Sequence, residues 1–288
     1  MDLIGLTGFN ILVAIATLVL LALGLGVIYG MMRIINLAHG EFLMLGAYAT
    51  ALATNHGVNI WISMLIVSPL VVGLFGLLVE RLFIRFLYGR MIDTMLATWG
   101  LSLALIGLVT TLFGTTVQGV SAPLGGFAIG RYQGSLYGLF LVACAVAMLG
   151  GLYLLLRTTR FGLIVRATMQ NPNMAGALGV SPPRIYMATF ALGSALTGLA
   201  GGLLAPVSGT APNMGVAFVA KSFITVLGGG AAFVTGTGLA STLFGIIDEI
   251  ATERTTPVFG EVALLLSAVI LIRLLPQGIT GRFFRRST

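Results

Sequence analysis

The residues best suited to chemistry form one short run, Asn36-Leu37-Ala38-His39-Gly40-Glu41-Phe42. Here a histidine and a glutamate sit two positions apart at the start of a long apolar stretch. Ionisable groups are expensive there and mark functional sites by default. Asn36 can cap a helix, and Gly40 lets a second backbone come close. One reading is a polar element beside a solute pathway, with Asn36, His39, Gly40 and Glu41 along it. The other is a packed interface in which His39 and Glu41 satisfy each other or nearby backbone. Gly228-Gly229-Gly230 is a second candidate, either a re-entrant turn on that pathway or a tight hairpin. Gly24, Gly26 and Gly30 mimic part of a dinucleotide fingerprint, but no βαβ unit surrounds them. The chain has only two histidines and one cysteine, far apart, which is not a metal-ligand set. Without a nucleophile–base pair or a Walker-type loop, the chain is expected to be no enzyme and to hold no cofactor.

A different kind of signal lies at residues 157–184, the longest polar and basic interval in the sequence. Within it Asn171 suits a helix N-cap, Pro172 the first helical position and Gly179 the position past the end. Met174, Ala177 and Leu178 fall at i, i+3 and i+4 and share one face. This predicts a short helix over 172–178, outside the bilayer, with a small apolar face. Such a helix either docks a soluble partner or simply caps a loop between two spans.

The elements that must position these residues are membrane spans. Of 288 residues, 58% are hydrophobic and 8% charged, with a mean hydropathy of +1.07. A soluble domain carries roughly 25% charged residues. The net charge of +7 does not point to nucleic acid, because the arginines cluster between apolar runs. Cys144 lies in an apolar run and allows no internal disulfide. Spans are predicted at 9–32, 37–54, 60–79, 94–112, 135–156, 185–204 and 262–275. Asp93 suits the cap of the fourth, and Ser181-Pro182-Pro183 the start of the sixth. Residues 113–133, with Arg131 their only charge, read as a loop. Two pieces at 215–227 and 239–250 are short for a span and suggest discontinuous or re-entrant helices. Seven crossings result if they are re-entrant, nine if both cross. The expected fold is an all-α polytopic bundle forming one membrane domain. Gly26 with Gly30 and Gly198 with Gly202 are small-residue pairs suited to close helix packing. The first and sixth runs share spaced glycines near their ends and an asparagine just beyond, Asn36 and Asn213, a faint internal echo.

Orientation follows from the arginines. Segments 81–90, 157–184 and 282–286 hold ten of the 15 basic residues and are expected in the cytoplasm. The N-terminus and the acidic stretch 248–261 then lie outside.

Residues 34–48, IINLAHGEFLMLGAY, resemble the signature of permease subunits of ATP-binding-cassette importers for branched-chain amino acids and related solutes. The resemblance extends to RATMQNPNMAGALGV at 166–180, to the turn at Gly228, and to Leu274-Leu275-Pro276-Gln277-Gly278. YGRMIDTMLATWGLSL at 88–103 looks most like the urea and short-chain amide branch. It implies a multi-pass permease of the bacterial inner membrane, paired with a second permease subunit. Two cytoplasmic ATPases would bind the ATP, and an external solute-binding protein would deliver substrate. The resemblance makes the 171–179 segment a coupling helix, with Arg166, Asn171, Pro172, Met174, Ala175, Ala177, Leu178 and Gly179 at the ATPase. It makes Asn36, His39, Gly40, Glu41, Gly228 and Gly229 pathway residues in an alternating-access cycle. Urea or amides lead as substrate and leucine-like amino acids stay open. The competing class is a stand-alone channel or secondary transporter for a small polar solute.

Overall fold

The computed structural model describes residues 2–117, 119–129, 132–230 and 232–284. Arg131, Arg285 and Arg286 lie outside the described residues. The chain runs through α1 (Asp2–Met32), α2 (His39–Asn55), α3 (Ile60–Ile62), α4 (Ser68–Leu82) and α5 (Met91–Phe113). A two-stranded antiparallel hairpin follows, β1 (Gly126–Ile129) with β2 (Tyr132–Ser135). Then come α6 (Leu136–Thr158), α7 (Arg160–Gln170), α8 (Pro172–Ala177) and α9 (Pro182–Ser208). The last helices are α10 (Met214–Gly229), α11 (Phe233–Arg254), α12 (Pro257–Leu274) and α13 (Gly278–Phe284). The fold is all-α apart from the hairpin, which occupies part of the segment expected to be a plain loop.

Seven helices are long and apolar enough to cross a membrane, among the described residues. They are not the seven the sequence suggests. The piece at 239–250 belongs to the 22-residue α11, long enough to span. Two threonines at its start, Thr235 and Thr237, with Gly236 between them, hid that length. The predicted second span is the 17-residue α2, which is absent from the seven, and α10 has 16 residues. At 1.5 Å per residue both fall short of a hydrocarbon core of about 30 Å. Each of these short helices follows a break after a long one: residues 33–38 after α1 and 209–213 after α9. The echo between Asn36 and Asn213 therefore recurs as backbone architecture. Between Ile60 and Leu82 the helix is continuous but passes through a π-helical stretch, Ser63–Val67. The fourth span begins at Met91, with Arg90 as N-cap, so Asp93 lies in its first turn. It caps nothing, and its carboxylate stands 3.7 Å from the Arg90 guanidinium.

Two compact units make up the chain. One comprises residues 23–120 and 150–219. Its centre is α9, laid against α2 and α4 along small residues. A Cβ on Gly198 would lie 2.6 Å from Val72 Cβ and 2.8 Å from the Ser68 carbonyl. The Ser68 hydroxyl stands 2.5 Å from the Gly198 carbonyl and 3.0 Å from that of Gly46, donating to one at a time. Gly198 and Gly202 thus form the close contact expected of them, and on α1 Gly24 meets Gly193 and Thr197 of α9. Phe42, Val72, Val79 and Phe190 fill the adjoining core.

The other unit comprises residues 1–22, 121–149 and 220–288. There α11 and α12 form a helical pair whose core is Leu18, Ala240, Phe244, Leu264 and Ala268. Lys221 of α10 lies 2.9 Å from the Glu261 carboxylate and 3.8 Å from that of Asp248. Such a half-buried lysine needs an acidic partner inside a membrane protein. Glu261 and Asp248, part of the predicted outer acidic stretch, supply it.

Candidate functional site

The link after α1 breaks the helix at Arg33, which adopts φ +52°. Asn36 is buried, but it does not cap α2. Its Oδ1 accepts the Ala38 N–H at 3.1 Å, within the link, and Ala38 occupies the N-cap position. The Leu37 N–H donates to Thr98 Oγ1 of α5 at 3.1 Å. The link is thus tied to the span beside it.

His39 and Glu41 are both almost fully buried. They do not satisfy each other, because residues two apart on a helix face different ways. His39 Nδ1 stands 3.4 Å from Thr197 Oγ1 on α9. Glu41 turns toward α5, where the Ser102 side chain hydrogen-bonds its carboxylate. Its Oε2 has no hydrogen-bond partner among the described residues. Two turns further along α2, the buried Tyr48 hydroxyl is also unpartnered, while its ring stacks on Phe113 at 5.1 Å. A polar seam thus runs between α2 and α5: Thr98, Ser102, Glu41 and Tyr48. The sequence reading found only Glu41 of these four. The i, i+7 spacing of Glu41 and Tyr48 and the i, i+4 spacing of Thr98 and Ser102 were the available signals.

Gly40 faces neither polar group. It meets Gly215 at the start of α10, backbone on backbone. That is the close backbone approach expected of it. Gly228 and Gly229 are placed similarly in the other unit. Gly228 lies under the Phe244 ring, and Gly229 crosses Gly236 near the start of α11. Gly230, at φ +81°, makes the turn. The Thr280 hydroxyl donates to the Gly229 carbonyl at 2.6 Å and accepts the Ala232 N–H at 3.0 Å. The turn is a closed backbone crossing rather than an open loop.

Glu41→Gln is expected to lower solute uptake about tenfold or more, the worth of one hydrogen bond to a charged group, without changing the amount of protein in the membrane. Normal uptake would leave Glu41 with packing alone.

In the basic segment two helices form where one was expected. Thr159 caps α7, its Oγ1 accepting the Gly162 N–H at 3.2 Å. Arg166, expected at a partner, donates one guanidinium N–H to the Leu156 carbonyl and ties α7 back on the end of α6. Asn171 Oδ1 accepts the Met174 N–H at 2.9 Å, with Pro172 at the first position, as foreseen. The helix stops at Ala177, one residue early. Gly179, at φ +86°, closes it together with a Val180 N–H to Ala175 carbonyl bond of 3.0 Å. The apolar face is real and unpartnered: Met174 is 59% and Leu178 78% exposed, and Ala177 is exposed as well. Ala175 points inward and is 4% exposed.

Residues 8–275 match the family described as branched-chain amino acid transport system / permease component. The probable branched-chain amino acid transport permease protein LivH of Methanocaldococcus jannaschii is 31% identical, over 92% of this chain and 88% of that one. The high-affinity branched-chain amino acid transport system permease protein BraD of Pseudomonas aeruginosa is 28% identical, over 93% and 92%. LivM of Escherichia coli, a permease of a high-affinity branched-chain amino acid system, is 27% identical over 93% of this chain and 69% of its own. No solved structure matches. These relatives are permeases rather than enzymes. With seven helices able to span, the chain is a multi-pass inner-membrane protein. The match over nearly its whole length makes it a member of the branched-chain amino acid transport permease family.

Proposed function

We propose that this chain forms part of the translocation path of an ATP-driven importer and that α8 is its coupling helix. The observation that carries this is the capped α8, too short to span and presenting Met174 and Leu178 to the surroundings. A channel has no use for such a docking face. Two cytoplasmic ATPases bind the ATP, a second permease completes the path, and an external binding protein delivers solute. LivM among the relatives supports pairing of two related permeases. In this reading the arginine-rich segments face the cytoplasm. One cavity supports that orientation, because Arg33 lines it together with Tyr88 and Arg90 of the 81–90 segment and with Tyr186, two residues past the 157–184 segment. The α2–α5 seam, with the unpartnered Glu41 Oε2, is the polar element beside the path.

The solute is a branched-chain amino acid, as the names of the relatives suggest. A second reading, urea or a short-chain amide, rests on residues 88–103. Both suit spans with so little charge. The experiment is ATP hydrolysis by the reconstituted importer, titrated with binding protein loaded with leucine or with urea. Stimulation by leucine supports the first reading, and stimulation by urea alone supports the second. Uptake by the chain without any ATPase subunit would instead favour a channel or secondary transporter.

A further inference from the structure

The end of the first unit that carries Arg33 contains a cavity of about 330 Å³, and transport gives it no role. Its wall holds two guanidinium-bearing residues, Arg33 and Arg90, and two tyrosines, Tyr88 and Tyr186, with no carboxylate among the lining residues. Arg33 makes no ion pair among the described residues and is held at φ +52°, a backbone region an L-residue enters only when its surroundings impose it. Arg90 has Asp93 at 3.7 Å, an exposed pair that leaves most of its hydrogen-bonding capacity open. The buried Glu80 already accepts the Tyr88 hydroxyl. Burial and that same carboxylate push the Tyr88 phenol well above its usual range, so it stays neutral. The tyrosine rings meet edge to face at 5.0 Å.

The cavity lies where α1 ends, α4 has just ended and α5 and α9 begin, which for spanning helices is the headgroup level. The chain that supplies Tyr88, Arg90 and Met91 to its wall also carries exposed large apolar side chains, Phe83 at 52%, Phe86 at 71% and Ile92 at 73%. A cationic pocket flanked by apolar side chains at this depth fits an anion that carries hydrocarbon. We infer that this cavity binds the phosphate of an anionic phospholipid, with Arg33 and Arg90 as its ligands and the acyl chains along Phe83 and Phe86. The inference uses the cytoplasmic orientation proposed above but not transport itself.

The test is lipid retention by the purified full-length chain, read by native mass spectrometry after exchange into mixed micelles. The probes are phosphatidylglycerol, phosphatidylcholine and inorganic phosphate. Phosphatidylglycerol is expected to be retained over phosphatidylcholine. Retention should fall about tenfold or more in the Arg33→Gly, Arg90→Gln double variant, the loss expected for two cations at an anionic surface. Glycine relaxes the backbone at position 33, so the thermal unfolding midpoint should not drop and misfolding cannot explain the loss. Equal retention of the two lipids, or undiminished retention by the double variant, overturns the assignment. Displacement of the lipid by inorganic phosphate at equal concentration also overturns it, by making a soluble anion the ligand. None of these outcomes bears on whether the importer hydrolyses ATP for its solute.

Discussion

Gly40→Ala is expected to destabilise the protein by about 1–3 kcal/mol, and Gly40→Val by more. A Cβ at position 40 would lie 2.6 Å from the Gly215 carbonyl carbon and 2.9 Å from its Cα, with the carbonyl oxygen nearer still. The obstacle is backbone at the start of α10, not the tip of a side chain, so no rotamer change relieves it. The reciprocal substitution, Gly215→Ala, meets the carbonyl group of Gly40 at 2.5 Å. Both single variants should lower the unfolding midpoint in detergent. The double variant should fall short of the sum, because either methyl alone already forces the two helix starts apart. Gly107→Ala, in the middle of α5, is the control. A Cβ there meets nothing within 4 Å, so the helix gains alanine's propensity, about 0.5–1 kcal/mol, or stays unchanged. Equal tolerance at positions 40 and 107 would show that α2 and α10 do not cross at their starts.

How much of this was legible in the sequence varies with the range of the interaction. Local rules did well. The Asn171 cap, the Gly179 stop and the Gly228–Gly230 turn all stand where their neighbours dictate. Six of the seven long spans were legible too, because burial in lipid demands long apolar runs, but the run at 37–54 folds as a 17-residue helix too short to count among them. Boundaries failed where a polar residue lies inside a helix. Thr235 and Thr237 made α11 look too short, and Asp93 looked like a cap although the helix starts at Met91. The failures of another kind are long-range. Nothing near Arg166 in sequence reveals that it serves the Leu156 carbonyl, ten residues back. Nothing near Glu41 reveals that Ser102 is its partner. The pairing of His39 with Thr197, 158 positions away, depends wholly on how α2 and α9 pack. The sequence marked which residues are costly in a membrane. It did not say which neighbour offsets that cost.

The largest functional effect is expected at α8. Met174→Glu with Leu178→Glu should abolish solute-stimulated ATP hydrolysis and reduce uptake by about a hundredfold, while leaving folding and membrane insertion intact. Both side chains are mostly exposed, at 59% and 78%, so charge there disturbs no core. If they bury against an ATPase, each contributes about 1.5–3 kcal/mol of apolar burial that a carboxylate removes. Two such losses amount to two decades or more in the affinity of the docked complex. Asn171→Ala should act in the same direction but more weakly. It removes the 2.9 Å cap to Met174, worth about 1 kcal/mol, and loosens the helix without changing its face. Cross-linking distinguishes docking from indirect effects. A cysteine at Leu178 should join an ATPase subunit in the intact importer, whereas one at Ala175, 4% exposed, should react poorly. Full uptake by the double glutamate variant, or a Leu178 cysteine that never reaches an ATPase, would leave α8 an ordinary loop helix and remove the main support for an ATP-coupled permease in this chain.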